Sequence, residues 1–356
     1  MTDKLRYILN THEQVCHPHQ LSVLISRCTS GSEEKSVSQL LSCLTEEVDM
    51  NRRACEFLVD LALRMELVER DLHWSGRGWV INAFTSNKTD LAEPEKVAYL
   101  KYYLDTDGAL MINFLKELDG LGEEGMLMSH FLNEGGVERV FVKTAEDYLQ
   151  EVFEISPRYE LSKLLLLREK NYSSKVRTDK FFTHIEPLVD LGFVRRSREG
   201  GAVKYGPILQ NENRKMVNLT AILCREFGNV LDLGRILSKD GDFFRRASIS
   251  FGLSTERIDR IRDYPNIRHE IVRAYDETKD EYFRLARLNS ICDIVCIRLL
   301  YAPCATARLC EQSDVILTIE QMHEESEKDI RFHMADSGDR EFLTISKDYV
   351  NAEIQK

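Results

Sequence analysis

Apolar residues recur along this chain at intervals of three and four, interrupted by short alternating runs beside glycine turns. The first pattern is that of helices with one buried face, the second that of half-buried strands. Leu21, Leu24 and Ile25 start a helix, and Val37, Leu40, Leu41 and Leu44 mark a second. Asn51 N-caps a third, with Cys55, Leu58, Val59, Ala62, Leu63 and Leu67 on its buried side. Leu67 to Arg70 and Trp79 to Ile81 then read as two strands joined by Ser75-Gly76-Arg77-Gly78. Glu93 to Leu118 is a long helical stretch that Asp107-Gly108 divides. Met111, Met126 and Met128 are expected to fill core space. A helix from Thr144 to Phe153 follows, closed by Ser156-Pro157. Further on, the pattern predicts a helix from Glu212 to Phe227 and a strongly apolar one from Tyr282 to Leu300. Val315 to Ile319, Ile330 to Met334 and Phe342 to Ile345 read as strands, with a helix from Ile319 to Lys328 and a hairpin turn at Asp336-Ser337-Gly338-Asp339.

Residues 175–208 carry the sharpest pattern. Phe181, Phe182, Ile185, Leu188, Val189 and Phe193 fall at helical spacing, Pro187 is expected to kink the helix, and Gly192 stops it. Phe193 to Arg196 and Ala202 to Tyr205 then form two extended runs around Gly200-Gly201. Helix, glycine stop and basic hairpin together resemble the recognition helix and wing of a winged-helix domain, a variant of the helix-turn-helix. The segment from Gln20 to Thr85 looks like a second copy, and the end of the chain like a third. The resemblance implies a mainly α fold with small β-hairpin wings, in which tandem winged-helix units are joined by helical linkers. The expected divisions are residues 1–86, 87–156, 157–210 and 211–356, the third of these being the basic unit.

Charge changes the picture from copy to copy. The whole chain has 356 residues and a formal net charge of −11, but residues 158–215 hold 13 Lys/Arg against 7 Asp/Glu. A basic island in an acidic protein is the footprint of phosphate contact. Gln20 to Thr85 holds 7 basic against 10 acidic residues, and Glu311 to the end 5 against 12. These acidic stretches would repel phosphate and suit a protein partner or self-association. From Asp240 to Arg287 ten bases balance ten acids, the mark of a solvated, salt-bridged surface. The resemblance therefore implies duplex DNA as the partner of the basic unit. Thr178, Lys180 and His184 would face outward from the recognition helix, Lys175 and Arg177 would meet phosphate at its start, and Arg195, Arg196, Arg198 and Lys204 would reach the backbone from the wing. A second reading is an assembly subunit, since acidic tandem winged-helix proteins occur in condensin-like and transcription-initiation complexes.

Catalysis has less to stand on. The sequence contains no Walker phosphate loop, no dinucleotide fingerprint and no Gly-x-Ser-x-Gly elbow. Arg262 and His269 are similar in spacing to the motif of helical HEPN ribonucleases, but Pro265 falls between them. His12, Cys16, His17 and His19 lack a second ligand pair, and Cys292, Cys296, Cys304 and Cys310 sit among Ile and Val, as buried thiols do. No cofactor or metal and no enzymatic activity are therefore expected. Hydrophobic residues make up 43% and charged residues 30% of the chain, ordinary globular values. No apolar run approaches the ~20 residues that span a bilayer. Nine cysteines, an odd number, without a secretion signal suggest a reducing cytoplasm.

Overall fold

The computed structural model describes residues 16–28, 37–47, 50–85, 90–136, 139–140, 143–144, 146–147, 174–212, 215–253, 259–260, 264–302, 308–335 and 340–355. Among these the chain is mainly helical, with small β-ribbons interspersed. The helices of the first part are α1 (Pro18–Arg27), α2 (Val37–Glu47), α3 (Arg52–Arg64) and α4 (Gly76–Phe84). Asn51 caps α3 as expected, its side chain accepting from the Ala54 N–H at 2.9 Å. The predicted strand Trp79 to Ile81 is instead part of α4. Ser75 accepts from the Arg77 and Gly78 N–H groups, so the glycine-containing stretch opens a helix rather than a turn. Only the bridge Val68↔Trp74 remains of the expected hairpin among the described residues.

Helix α5 (Glu93–Asp119) is the spine, and nineteen of its residues are buried. It bends where the sequence indicated, at Asp107, whose φ of −153° and ψ of 37° are not helical. Helices α4, α7 (Ser174–Asp190), α8 (Leu219–Phe227), α9 (Leu233–Ile236) and α12 (Leu288–Leu300) all pack on it. One apolar cluster runs continuously from Leu21 to Val350 across all four expected divisions. Met111, Met126 and Met128 lie in it.

Beyond α5, β1 (Met126–Leu127) and α6 (Met128–Asn133) precede α7. Helix α7 ends at Asp190, and Gly192 follows with φ +86°, the left-handed stop the sequence predicted. The expected hairpin is present as β2 (Val194–Glu199) and β3 (Ala202–Pro207), paired from Val194↔Pro207 to Glu199↔Ala202. Ile185, Leu188, Phe193 and Val194 are buried, while Phe182, Val189 and Val203 pack half-buried against the core. Strand β1 joins antiparallel to β3, Met126 opposite Tyr205, which gives the order β1-β3-β2. Gly125 makes this junction possible. Its φ is +69°, and a Cβ there would lie 2.2 Å from the Tyr205 carbonyl oxygen.

The predicted helix from Glu212 begins only at Leu219. Strands β4 (Leu209–Glu212) and β5 (Lys215–Asn218) precede it, and the Asn218 side chain caps α8 by accepting from the Ala221 N–H. Helix α10 (Phe243–Ser250), the short strand β6 (Asp259–Arg260) and helix α11 (Tyr264–Thr278) follow. The expected helix Tyr282 to Leu300 is likewise shortened. Asp280 accepts from the N–H groups of Tyr282, Phe283 and Leu285, holding a turn, and β7 (Ala286–Arg287) separates it from α12. After β8 (Arg308–Leu309), which pairs in parallel with β6, comes α13 (Gln312–Glu325). It contains the predicted strand Val315 to Ile319. That run is apolar at every position but Thr318, a pattern that does not separate strand from helix, and Val315, Ile319 and Met322 line one helical face. Strands β9 (Ile330–Met334) and β10 (Arg340–Ile345) form the last hairpin as expected, and α14 (Lys347–Ile354) ends the described chain. Strand β7 joins β10, so this sheet has the order β7-β10-β9, the same as the first. The expected turn at 336–339 and the expected helix beyond residue 147 lie outside the described residues.

Candidate nucleic-acid interface and neighbouring polar sites

Strand β2 is an edge strand, and beyond the buried Val194 its residues are exposed or half-buried. Arg195 and Arg198 are exposed on it, and among the described residues neither is in an ion pair. The Arg195 guanidinium lies near the cross-strand Gly206, where a Cβ would sit 3.2 Å from it. Arg196 is directed differently, its guanidinium donating to Glu186 of α7 at 3.2 Å. Glu186 is buried and also accepts from the Tyr205 hydroxyl, so one carboxylate ties recognition-helix candidate to wing. Lys204 donates to Glu199 across the hairpin at 2.6 Å, and the lysine holds the Glu199 carboxyl below its usual range. Of the four wing cations expected to meet phosphate, two are therefore engaged within the chain.

His184 does not face outward. It is fully buried, and its Nε2 lies 2.7 Å from Oδ2 of Asp107, the residue at the bend of α5. With Nε2–H donating to Asp107, Nδ1 is left to accept from the Thr183 hydroxyl at 3.2 Å. Helical spacing marked His184 as polar and outward, but α5 covers that side of α7 and supplies a buried carboxylate. The side chains of Lys175, Arg177, Thr178 and Lys180 lie outside the described residues, although the helix carrying them is described.

A second polar site lies where α4, α5, α12 and α13 meet. Asp293, buried, accepts from Lys101, from the Tyr102 hydroxyl at 3.2 Å and from Gln312 at 2.7 Å. It borders a cleft of about 530 Å³ that also exposes Glu66, Glu69, Arg77, Asp105, Arg287 and Glu341. Arg77 pairs with Glu66 and Asp105, and Arg287 with Glu69 and Glu341. With Lys101 and Lys239 the lining holds four cations against five carboxylates, a near balance that leaves little field to draw a charged substrate. Nearby, Glu311 is buried and accepts from the N–H groups of Phe244 and Arg245 at the start of α10. Burial outweighs those bonds and, with Asp242 and Asp314 nearby, pushes the Glu311 carboxyl up to about 7.

The third site joins the start of α1 to the end of α7. His17 Nδ1 lies 2.7 Å from Asp190 Oδ2, and His19 stands beside them, the two rings 5.5 Å apart. Burial disfavours the charged His17 ring, but the Asp190 carboxylate outweighs it and raises the pKa; burial lowers that of His19. Cys16 is buried beneath this group rather than part of it, and His12 lies outside the described residues.

The remaining sequence candidates are described only in part. Cys292, Cys296 and Cys310 are buried, and desolvation pushes the first two thiols up, while Cys304 is outside the described residues. His269 is half-buried in α11, Arg262 is outside the described residues, and Arg268 donates to Glu325 at 2.6 Å. No helix among the described residues is long and apolar enough to cross a membrane. Comparison with protein-family models, curated proteins and solved structures finds no match.

Proposed function

We propose that this chain is a non-catalytic DNA-binding protein that holds duplex DNA through α7 and the β2–β3 hairpin in the manner of a winged helix. It would act as a transcriptional regulator or as part of a DNA-handling or defence complex. The observation that carries the reading is the pair Arg195 and Arg198, exposed on an edge strand directly beyond the helix. A hairpin carrying guanidinium groups that are in no ion pair among the described residues suits phosphate contact. The strand β1 added beside β3, with helices packed beneath, is consistent with the winged-helix resemblance. The test is fluorescence anisotropy of the whole chain with duplex DNA, single-stranded DNA and RNA over a salt series. Duplex affinity is expected to fall steeply with salt. In Arg195→Ala/Arg198→Ala the log–log slope should become shallower by about 1.8, at ~0.9 per phosphate contact. Absence of duplex binding at low salt would refute the reading.

A second reading, an assembly subunit, is favoured by α13. That helix precedes the β9–β10 hairpin as α7 precedes β2–β3, yet it exposes Leu317 beside Glu320 and Glu324. Glu320 is paired with Arg340, so the reading rests on the acidic balance of the segment from Glu311 onward, which repels phosphate, with Leu317 as its apolar contact. A stable protein partner, lost in Leu317→Lys, together with failure of the anisotropy test, would favour it.

A further inference from the structure

We propose that His17, His19 and Asp190 bind a divalent transition-metal ion of the zinc class. The donor set is two imidazoles and one carboxylate, and one ligand atom from each lies within 4.8 Å of the others. Zn²⁺ draws such atoms to about 2.0–2.2 Å from itself, which brings ligands about 3.3–3.6 Å apart. Binding therefore requires these atoms to close by up to about 1.5 Å. Two imidazoles select against Mg²⁺ and Ca²⁺, which take oxygen ligands.

The framework around the three is fixed. Pro18 stands between the two histidines at the first turn of α1, so their spacing is set by a rigid residue. The Tyr103 hydroxyl of α5 donates to the Cys16 carbonyl at 2.8 Å, anchoring the approach to α1. Asp190 is the last residue of α7, where the carbonyl end of the helix favours a cation, and Glu186 one turn earlier adds negative charge. Arg196 opposes this, but it is held by Glu186.

Binding exchanges the proton shared by His17 and Asp190 for the ion, so the proton leaves to solvent. Among the described residues there are three protein ligands, one short of a tetrahedron. The ion would clamp α1 to the end of α7. This inference does not depend on DNA binding: the metal is read without nucleic acid present.

The experiment is titration of the metal-free whole chain with Co²⁺ under reducing conditions, followed by displacement with Zn²⁺. One equivalent should give the visible absorption of a four- or five-coordinate site, and Zn²⁺ should raise the melting temperature. In His19→Ala and Asp190→Asn, checked for native circular dichroism, affinity should fall by about tenfold or more, and the thermal shift should vanish. His19 is partly accessible, so that variant is expected to fold. No visible band, a thiolate charge-transfer band in place of it, or equal affinity in both variants would overturn the assignment.

Discussion

His184→Ala is the substitution on which sequence pattern and structure disagree most sharply. Read from the sequence, His184 faces DNA, and its loss should weaken binding while leaving the fold intact. In the structure the imidazole is buried against Asp107 with 2.7 Å between Nε2 and Oδ2. Removing it leaves a buried carboxylate at a helix bend without its partner, which costs about 3–5 kcal/mol. The apolar core is continuous, so the described elements are expected to melt together. Unfolding 356 residues at about 2.1 cal/mol/K each gives an entropy of ~0.75 kcal/mol/K, so Tm should fall by about 4–7 °C. Scanning calorimetry of wild type, His184→Ala, Asp107→Ala and the double variant reads both the cost and the coupling. The double variant should be less destabilised than the sum of the singles by about 1–3 kcal/mol, because its buried partner is gone as well. A His184→Ala protein that melts within 1 °C of wild type but has lost DNA affinity would refute this placement of α7.

Three further outcomes are expected. Glu311 has a folded pKa of about 7 against about 4.5 for a free glutamate, so the unfolded chain ionises first. Stability should therefore decline as pH rises from about 4.5 to 7, by at most ~3 kcal/mol, and level off above. Glu311→Gln should remove that slope in urea titrations at a series of pH values; an unchanged slope would show that another group is responsible. Asp293→Ala leaves Lys101 buried and uncompensated and should cost about 3–5 kcal/mol, with Asn at the same position less harmful because its oxygen still accepts. Thermal melts in which Ala and Asn behave alike would count against the charge pairing. Gly125→Ala forces a side chain into a left-handed position and against the Tyr205 carbonyl, at about 2 kcal/mol or more. Amide exchange should then speed up at Met126 and Leu127, and unaltered protection there would show that β1 does not need this glycine.

Local chemistry was legible along the chain. The Asn51 cap, the bend at Asp107, the stop at Gly192 and the β2–β3 and β9–β10 hairpins follow from a residue and its near neighbours, because backbone conformation and capping act over a few positions. Where neighbouring signals were equivalent, the reading failed: Ser75-Gly76 opens a helix rather than a turn, and Val315 to Ile319 suits either period. The candidate sites divide the same way. The basic run at Arg195 to Arg198 was visible as sequence, but the engagement of Arg196 by Glu186 and of Lys204 by Glu199 follows from how helix and strands are paired. His17 and His19 were visible too, while Asp190 comes to them from 171 residues beyond His19. Burial of His184 owes to α5, which covers one side of α7 and places a carboxylate there. The sequence determined most of the helices, two of the hairpins and where charge accumulates, since those depend on short-range periodicity and composition. Which polar groups remain available to a partner was decided only by tertiary packing, because long-range pairing consumes hydrogen-bonding and charge that no local pattern records.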